Sequence, residues 1–322
     1  MKVPTGSRQY KSGKELYITM NMKKILVFVL IIAVIGTVFA GCANTSGAKQ
    51  SESSPASTAE LAASNAVSSP ETKQLGVGTM QEYDFGTIKL HAYETKDPIS
   101  DENFLLETDN ELILIELVGF YNNIEELQSY IEKLGKPLTS VIVAYHPAGG
   151  DAHPNAQMYA SEGLGEAGLI PMFVEKYGDA FNGDLPTKYQ IVAPGIMTVG
   201  GIEFNVIQTD SAFDLEIPAI NAYFTHMVGS NTHNTLRSVD QIDEMIAQMK
   251  NLQAKNYSLI LTGHDVPRTI DVATEKIDYL EKMKEFIASS ESAEVFTQAM
   301  KKAFPNYQGE NFLEMSAGAL FD

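Results

Sequence analysis

Six histidines are spread over the 322-residue sequence, at positions 91, 146, 153, 226, 233 and 264. Three of them stand at or just past the end of a short apolar run. His146 follows Val141–Ala144, His226 follows Ala219–Phe224, and His264 follows Ser258–Leu261. Such runs, bounded by turn residues, read as buried strands, and open α/β sheets bind ligands just beyond the carboxyl ends of their strands. Neutral imidazole is the commonest zinc ligand. The Gly-rich turn after His146, read as HPAGGDAH over 146–153, adds Asp151 and His153 beside the first of these ends. Three imidazoles with a carboxylate would suit zinc, which lowers the pKa of a bound water enough to make a nucleophile near neutral pH. The expected ligands are therefore His146, His226 and His264, with His153 as a further candidate and Asp151 orienting the water. The plainer alternatives stay open. A histidine after a strand is often a hydrogen-bonded rim residue, which is the expectation for His91 and His233, and Gly-Gly-Asp is also simple turn chemistry.

The elements that must position these side chains follow from the pattern around them. Met80–Tyr93 alternates apolar and polar with a central glycine, the look of a hairpin. Asn103–Leu106 and Leu112–Ile115 are two more short strands around the turn signal Asp109-Asn110. A helix capped by Asn122 or Asn123 then presents Ile124, Leu127, Ile131 and Leu134 on one face and stops at Gly135. The Val141–Ala144 strand completes a strand–helix–strand crossover. Glu162–Tyr177 reads as a helix interrupted near Pro171, and Pro186–Val206 as strands joined by tight turns. Ser238 caps a helix bearing Ile242, Met245, Ile246, Met249 and Leu252. Two further helices carry Ile277, Leu280, Met283 and Ile287, then Val295, Phe296, Ala299 and Met300, ending before Pro305. Tyr145 and Tyr223 are expected to pack as strand residues. Mixed meander and crossover connections point to an α+β domain of two sheets faced by helices.

Composition bounds the setting. With 41 acidic and 23 basic residues the formal charge is −18. Residues 1–41 carry six basic side chains against Glu15, a net of +5, so the remainder carries −23. Such a surface repels phosphate backbones and anionic lipid, which argues against nucleic-acid binding. Lys23-Lys24 precedes the apolar run Ile25–Ala40, shorter than the roughly 20 residues of a spanning helix and built like a secretory signal. Its end, Phe39-Ala40-Gly41-Cys42, resembles the lipobox of bacterial lipoproteins, which implies lipidation of Cys42, the only cysteine, and a place in the cell envelope outside the cytoplasmic membrane. A start at Met20 or Met22 would supply all such a signal needs. Residues 42–76 are mostly Ser, Ala, Thr, Asn and Glu, too polar to offset ordering entropy, and are expected to be a disordered tether to a domain spanning 77–322. No Gly-x-Ser-x-Gly elbow, domain cysteine or Gly-x-x-x-x-Gly-Lys loop occurs, which leaves serine-elbow, thiol and ATP-driven chemistry without support.

The element order and several local signatures over about Val77–Ile287 resemble the metallo-β-lactamase fold, an αββα four-layer sandwich. Asn103–Val118 is similar to that family's opening strand pair, with Glu116 where an Asp is usual. Val141–His153 lies where the family carries Thr-His-x-His-x-Asp-His, and Leu261-Thr-Gly-His264 resembles its closing Gly-His. On this resemblance His146 falls on the first histidine and His264 on the last. Ala148, Gly150 and Asp151 stand where the second histidine, the aspartate and the adjacent histidine belong. No histidine occurs near Thr209–Asp214, where the middle one is expected, and His226 replaces the bridging carboxylate. A two-residue shift of the turn would give His153 the third-histidine role. Glu116 would mimic the usual buried Asp by accepting backbone hydrogen bonds. Two readings follow. One is a remodelled mononuclear zinc site that hydrolyses a small ester, amide or lactone. The other is a tethered module of the same fold that binds a small molecule without metal.

Overall fold

The computed structural model describes residues 69–321 apart from 211 and 230. Cys42, the apolar run before it and the polar stretch up to residue 68 lie outside the described residues. Two sheets form the centre. The first has eight strands in sequential order: β1 (Glu71–Gln74), β2 (Thr79–Asp84), β3 (Lys89–Glu94), β4 (Glu102–Glu107), β5 (Leu112–Ile115), β6 (Leu138–Val143), β7 (Gln157–Ala160) and β8 (Gln190–Ile191). It is antiparallel up to β5 and parallel from β5 to β8. The second contains β9 (Gly195–Val199), β10 (Ile202–Gln208), β11 (Phe213–Ile217), β12 (Ala222–Thr225), β13 (Leu259–Thr262) and β14 (Asp265–Arg268). Only its β12–β13 pair is parallel, spanned by the crossover helix between them.

Alternation decides which side chain goes where. Phe104, Leu106, Ile113, Ile115 and Ile142 of the first sheet meet Phe204, Leu215, Ala222, Phe224 and Leu261 of the second in one core. The intervening Leu105, Leu112, Leu114, Val141 and Val143 face outward onto α1 (Tyr121–Leu134). Tyr223 and Ile260 of the second sheet likewise turn outward, onto α3 (Val239–Lys255) and α4 (Asp271–Ser289). α5 (Ala293–Ala303) and α6 (Glu310–Phe321) close a separate apolar cluster with α3 and α4 around Phe296, Tyr279 and Leu313. The layers are thus αββα, as expected. No helix among the described residues is long and apolar enough to cross a membrane.

Several local expectations change. β1 begins at Glu71, ahead of the boundary expected at Val77. Its residues Glu-Thr-Lys-Gln are all exposed and join the sheet through antiparallel backbone pairing with β2 alone, so no hydrophobic signal marks them. Neither Asn122 nor Asn123 caps α1. The N-cap is Phe120, and Asn123 is instead buried, donating to Tyr93 Oη at 3.0 Å and the Thr95 carbonyl at 2.7 Å. Pro171 starts α2 (Ile170–Tyr177) rather than interrupting a longer helix, in the first turn where its missing N–H costs nothing. Strands β7, β11 and β14 and helix α6 had no counterpart in the sequence reading. Ser238 does cap α3, accepting from Gln241 N–H, and Gly135 ends α1 in the left-handed conformation at φ 69°.

His91 and His233 are both interior. His91 lies between Tyr130 Oη at 2.9 Å and Glu107 Oε2 at 2.8 Å, and His233 Nδ1 is 3.1 Å from Tyr279 Oη. Burial lowers the His233 pKa from 6.5 to about 4. An unfolded chain therefore binds more protons between those values. The stability His233 confers is complete above pH 6.5 and is lost as pH falls through about 4. The expected outcome is that His233→Gln flattens the acid limb of a urea-midpoint against pH profile in that window, narrowing the drop by about 2–3 kcal/mol.

Candidate metal centre

His146, His226 and His264 leave the ends of β6, β12 and β13, and one ring nitrogen from each lies within 4.8 Å of the other two. His226 Nε2 is 3.0 Å from His146 Nε2 and 3.0 Å from His264 Nε2. A neutral ring nitrogen has a single in-plane lone pair or a single N–H, so two such contacts on one atom do not make two ordinary hydrogen bonds. They match instead three lone pairs converging on one electron-pair acceptor. Four-coordinate zinc with nitrogen ligands at about 2.0–2.1 Å sets neighbouring donors roughly 3.3 Å apart.

The opposite ring nitrogens face carboxylates. Asp101 Oδ1 lies 3.6 Å from both His146 Nδ1 and His264 Nδ1, and Glu166 Oε1 lies 3.7 Å from His226 Nδ1. These separations are within ion-pair range but longer than hydrogen bonds. Asp101 Oδ1 and His146 Nδ1 are both buried with no hydrogen-bond partner, whereas His264 Nδ1 also has the Ser100 carbonyl at 3.3 Å. Nitrogen donors inward with carboxylates behind them is the arrangement that fixes the tautomer of metal-bound histidine. Electrostatics agree. Burial, then the neighbouring imidazoles, pushes His146 and His226 well below the usual histidine range, and burial lowers His264 to about 4. All three are therefore neutral donors at physiological pH. Burial, reinforced by Asp97, Glu166 and Glu116, raises Asp101 well above the carboxylate range, and burial raises Glu166 to about 7.

Three devices hold the imidazoles in place. Glu116, just past β5, adopts a left-handed φ of 68°, and its carboxylate accepts from Ala144 N–H at 3.1 Å, Tyr145 N–H at 2.9 Å and His146 N–H at 2.6 Å. The expected mimicry of an Asp is thus observed, and the acceptor sets the direction of the chain at His146. Tyr145 stacks on His226 with centroids 4.5 Å apart, and its hydroxyl donates to Asp214 Oδ1 at 2.7 Å. Asp214 also accepts from Tyr223 and Gln248 and is raised by burial to about 6. Gly263 supplies the room. A Cβ there would stand 2.9 Å from His146 Cε1 and 2.9 Å from His226 Cδ2.

The cluster does not include His153 or Asp151. Their turn folds onto residues 182–184, because Gly149 N–H donates to the Asn182 carbonyl at 3.0 Å and Gly150 N–H to the Asp184 carbonyl at 2.7 Å. Asp151 is exposed and accepts from Asn182 Nδ2 at 2.8 Å. The carboxylates facing the imidazoles are Asp101 and Glu166, neither of which the sequence reading singled out. Asp101 sits in a polar loop after Ser100 and looks like turn composition, and Glu166 lies in a stretch read as helix.

No family model and no curated protein matches this sequence. Among solved structures the chain is similar to a metallo-β-lactamase from Erythrobacter litoralis, at 15% identity and a TM-score of 0.49 over 66% of this chain and 100% of that one. It is similar to a stereoselective inverting sec-alkylsulfatase from Pseudomonas sp., at 14% identity and a TM-score of 0.52, over 72% of this chain and 48% of that one. A metallo-β-lactamase from Pontibacter korlensis gives 12% identity and a TM-score of 0.45 over 66% and 99%. With two mixed sheets faced by helices, the likeness to the sulfatase shows a shared αββα fold.

Removing the Glu116 carboxylate strands three buried N–H groups, each costing about 1–3 kcal/mol. Glu116→Ala is expected to lower the unfolding free energy by about 3–5 kcal/mol in urea titrations. Glu116→Gln, which keeps an acceptor oxygen, is expected to lose less.

Proposed function

We propose that the protein is a mononuclear metal-dependent hydrolase of a small ester, amide or lactone, with His146, His226 and His264 as ligands of a zinc ion. The observation that carries this reading is the convergence of three neutral Nε2 donors with a carboxylate behind every ring. A zinc ion bound there would supply Lewis acidity, polarising an acyl carbonyl and lowering the cost of forming hydroxide near neutral pH. The chain's own groups do the rest. Asp101 faces Nδ1 of His146 and His264 at 3.6 Å and Glu166 faces Nδ1 of His226 at 3.7 Å, which sets a carboxyl behind each ring on the side away from the converging Nε2 atoms. Glu166 is also part-exposed and titrates at about 7, so its carboxyl can take up or release a proton at the pH where the site works. Glu166 and Asp101 stand here in place of the role first expected of Asp151.

The alternative is a binding module of the same fold that takes its small molecule without metal. Metal analysis separates the two. The full chain is expected to bind one zinc per molecule, and His226→Ala is expected to reduce that affinity by at least a hundredfold, read by competition with a chromogenic chelator. Absence of stoichiometric zinc, iron or manganese, together with unchanged ligand affinity in His264→Ala, would leave the binding module.

The setting belongs to the same proposal. Lipidation of Cys42 would tether the domain outside the cytoplasmic membrane of a bacterial cell, with residues 43–68 as part of the tether and no nucleic acid among its partners. Cys42→Ser is expected to move the protein from the membrane fraction to the soluble fraction and to abolish labelling by a fatty-acid analogue.

A further inference from the structure

A cavity of about 540 Å³ opens beside His264, between α2 and α6. Its walls are apolar where they matter. Ile99, Met172, Phe173, Tyr177, Phe312 and Met315 line it, and the Phe312 ring centroid is 6.3 Å from that of His264. The cavity therefore begins against one of the three converging imidazoles. One wall is rigid, since Phe173 and Tyr177 are packed against Phe120 and Phe181 at ring separations of 5.2–5.7 Å. The rim is adaptable and wet, because Met172 and Met315 are 48% and 44% exposed. Two thioethers from sequence-distant helices held open to water around a concave aromatic floor form a receptor for an apolar group of variable shape.

The far side of His264 has the opposite character. A second cavity of about 410 Å³ shares Ser100, Thr232, His264 and Gln308 with the first and adds Asp97, Asp101 and Glu102. All three carboxylates are buried, each with one oxygen lacking a hydrogen-bond partner. Burial raises all three, which favours their uncharged forms, and Lys96 and Glu94 line the same cavity. Within the first cavity the Lys176 ammonium lies over the Tyr177 ring at 5.0 Å, and Glu314, which pairs with Lys301 at 3.6 Å, lines the same space.

We propose that the cavity between α2 and α6 receives the apolar acyl or aryl arm of the substrate. This rests on the hydrolase reading for the word substrate, but its test does not. Calorimetric titration of the full chain with acetamide, butyramide, hexanamide and octanamide, each with and without added zinc, reads the cavity independently of turnover. Affinity is expected to rise roughly two- to fourfold per methylene along the series, the fold-change of burying a CH₂. Met172→Glu and Met315→Glu change exposed rim positions, so folding is retained, and each is expected to flatten that rise. With zinc loaded, 4-nitrophenyl esters are expected to show the same length dependence in kcat/KM.

A flat amide series in the unmodified chain would overturn the proposal. So would a flat series accompanied by tight binding of phosphatidylcholine vesicles that the two glutamate variants abolish, which would assign the methionine rim to a lipid surface. A steep series with no hydrolysis under zinc, manganese or iron(II) would uphold the apolar receptor and sink the hydrolase.

Discussion

The three histidines can meet because one peptide unit among them has no side chain. Gly263 donates its N–H to the His226 carbonyl at 3.0 Å and accepts from Glu102 N–H at 2.8 Å, so it ties the ends of β13 and β12 to the start of β4 in the other sheet. The same residue leaves open the volume where a Cβ would press on two imidazoles. Sheet-to-sheet attachment and the spacing of the donors are therefore settled at one position. Everything further out, from the Asp101 loop to the aromatic wall, takes its place relative to that junction.

Around it, burial works in two directions. Desolvation keeps the imidazoles uncharged, which preserves their lone pairs as donors in spite of a strongly acidic chain. Desolvation also raises the carboxyls that face the rings, and the two effects together let acid and imidazole share a small space without forming fixed ion pairs. Glu116 follows the same trend but has a different role. It is fully buried too and burial raises it to about 7, but three backbone N–H groups partly offset that and make it a structural acceptor that steers the chain into His146. The Tyr145–Asp214–Tyr223 hydrogen bonds do the same for the ring stacked on His226.

Much of this was legible before any coordinates. Strands β4, β5, β6, β12 and β13 are short apolar runs with clear ends, and the histidines at the last three of those ends converge as the pattern implied. Helices α1, α3, α4 and α5 carry ordinary apolar faces. What could not be read was set by partners rather than by local sequence. β1 and β14 are polar strands held by backbone pairing, Asp101 looks like any turn residue, and Glu166 gains its place through its N–H bond to the Tyr145 carbonyl at 2.9 Å. The turn bearing Asp151 and His153 had the right composition for a site, but its glycines bond to residues 182 and 184, a long-range choice with no local signature.

Asp97, Asp101 and Glu102 have a consequence for how the domain acquires its shape. Folding takes these three acids out of water and gives each an oxygen with nothing to bond. Burial raises all three carboxyls, so the folded chain holds protons there that the unfolded chain releases, and these groups favour the compact state more as pH falls. Assembly of the domain is therefore linked to proton uptake at one loop.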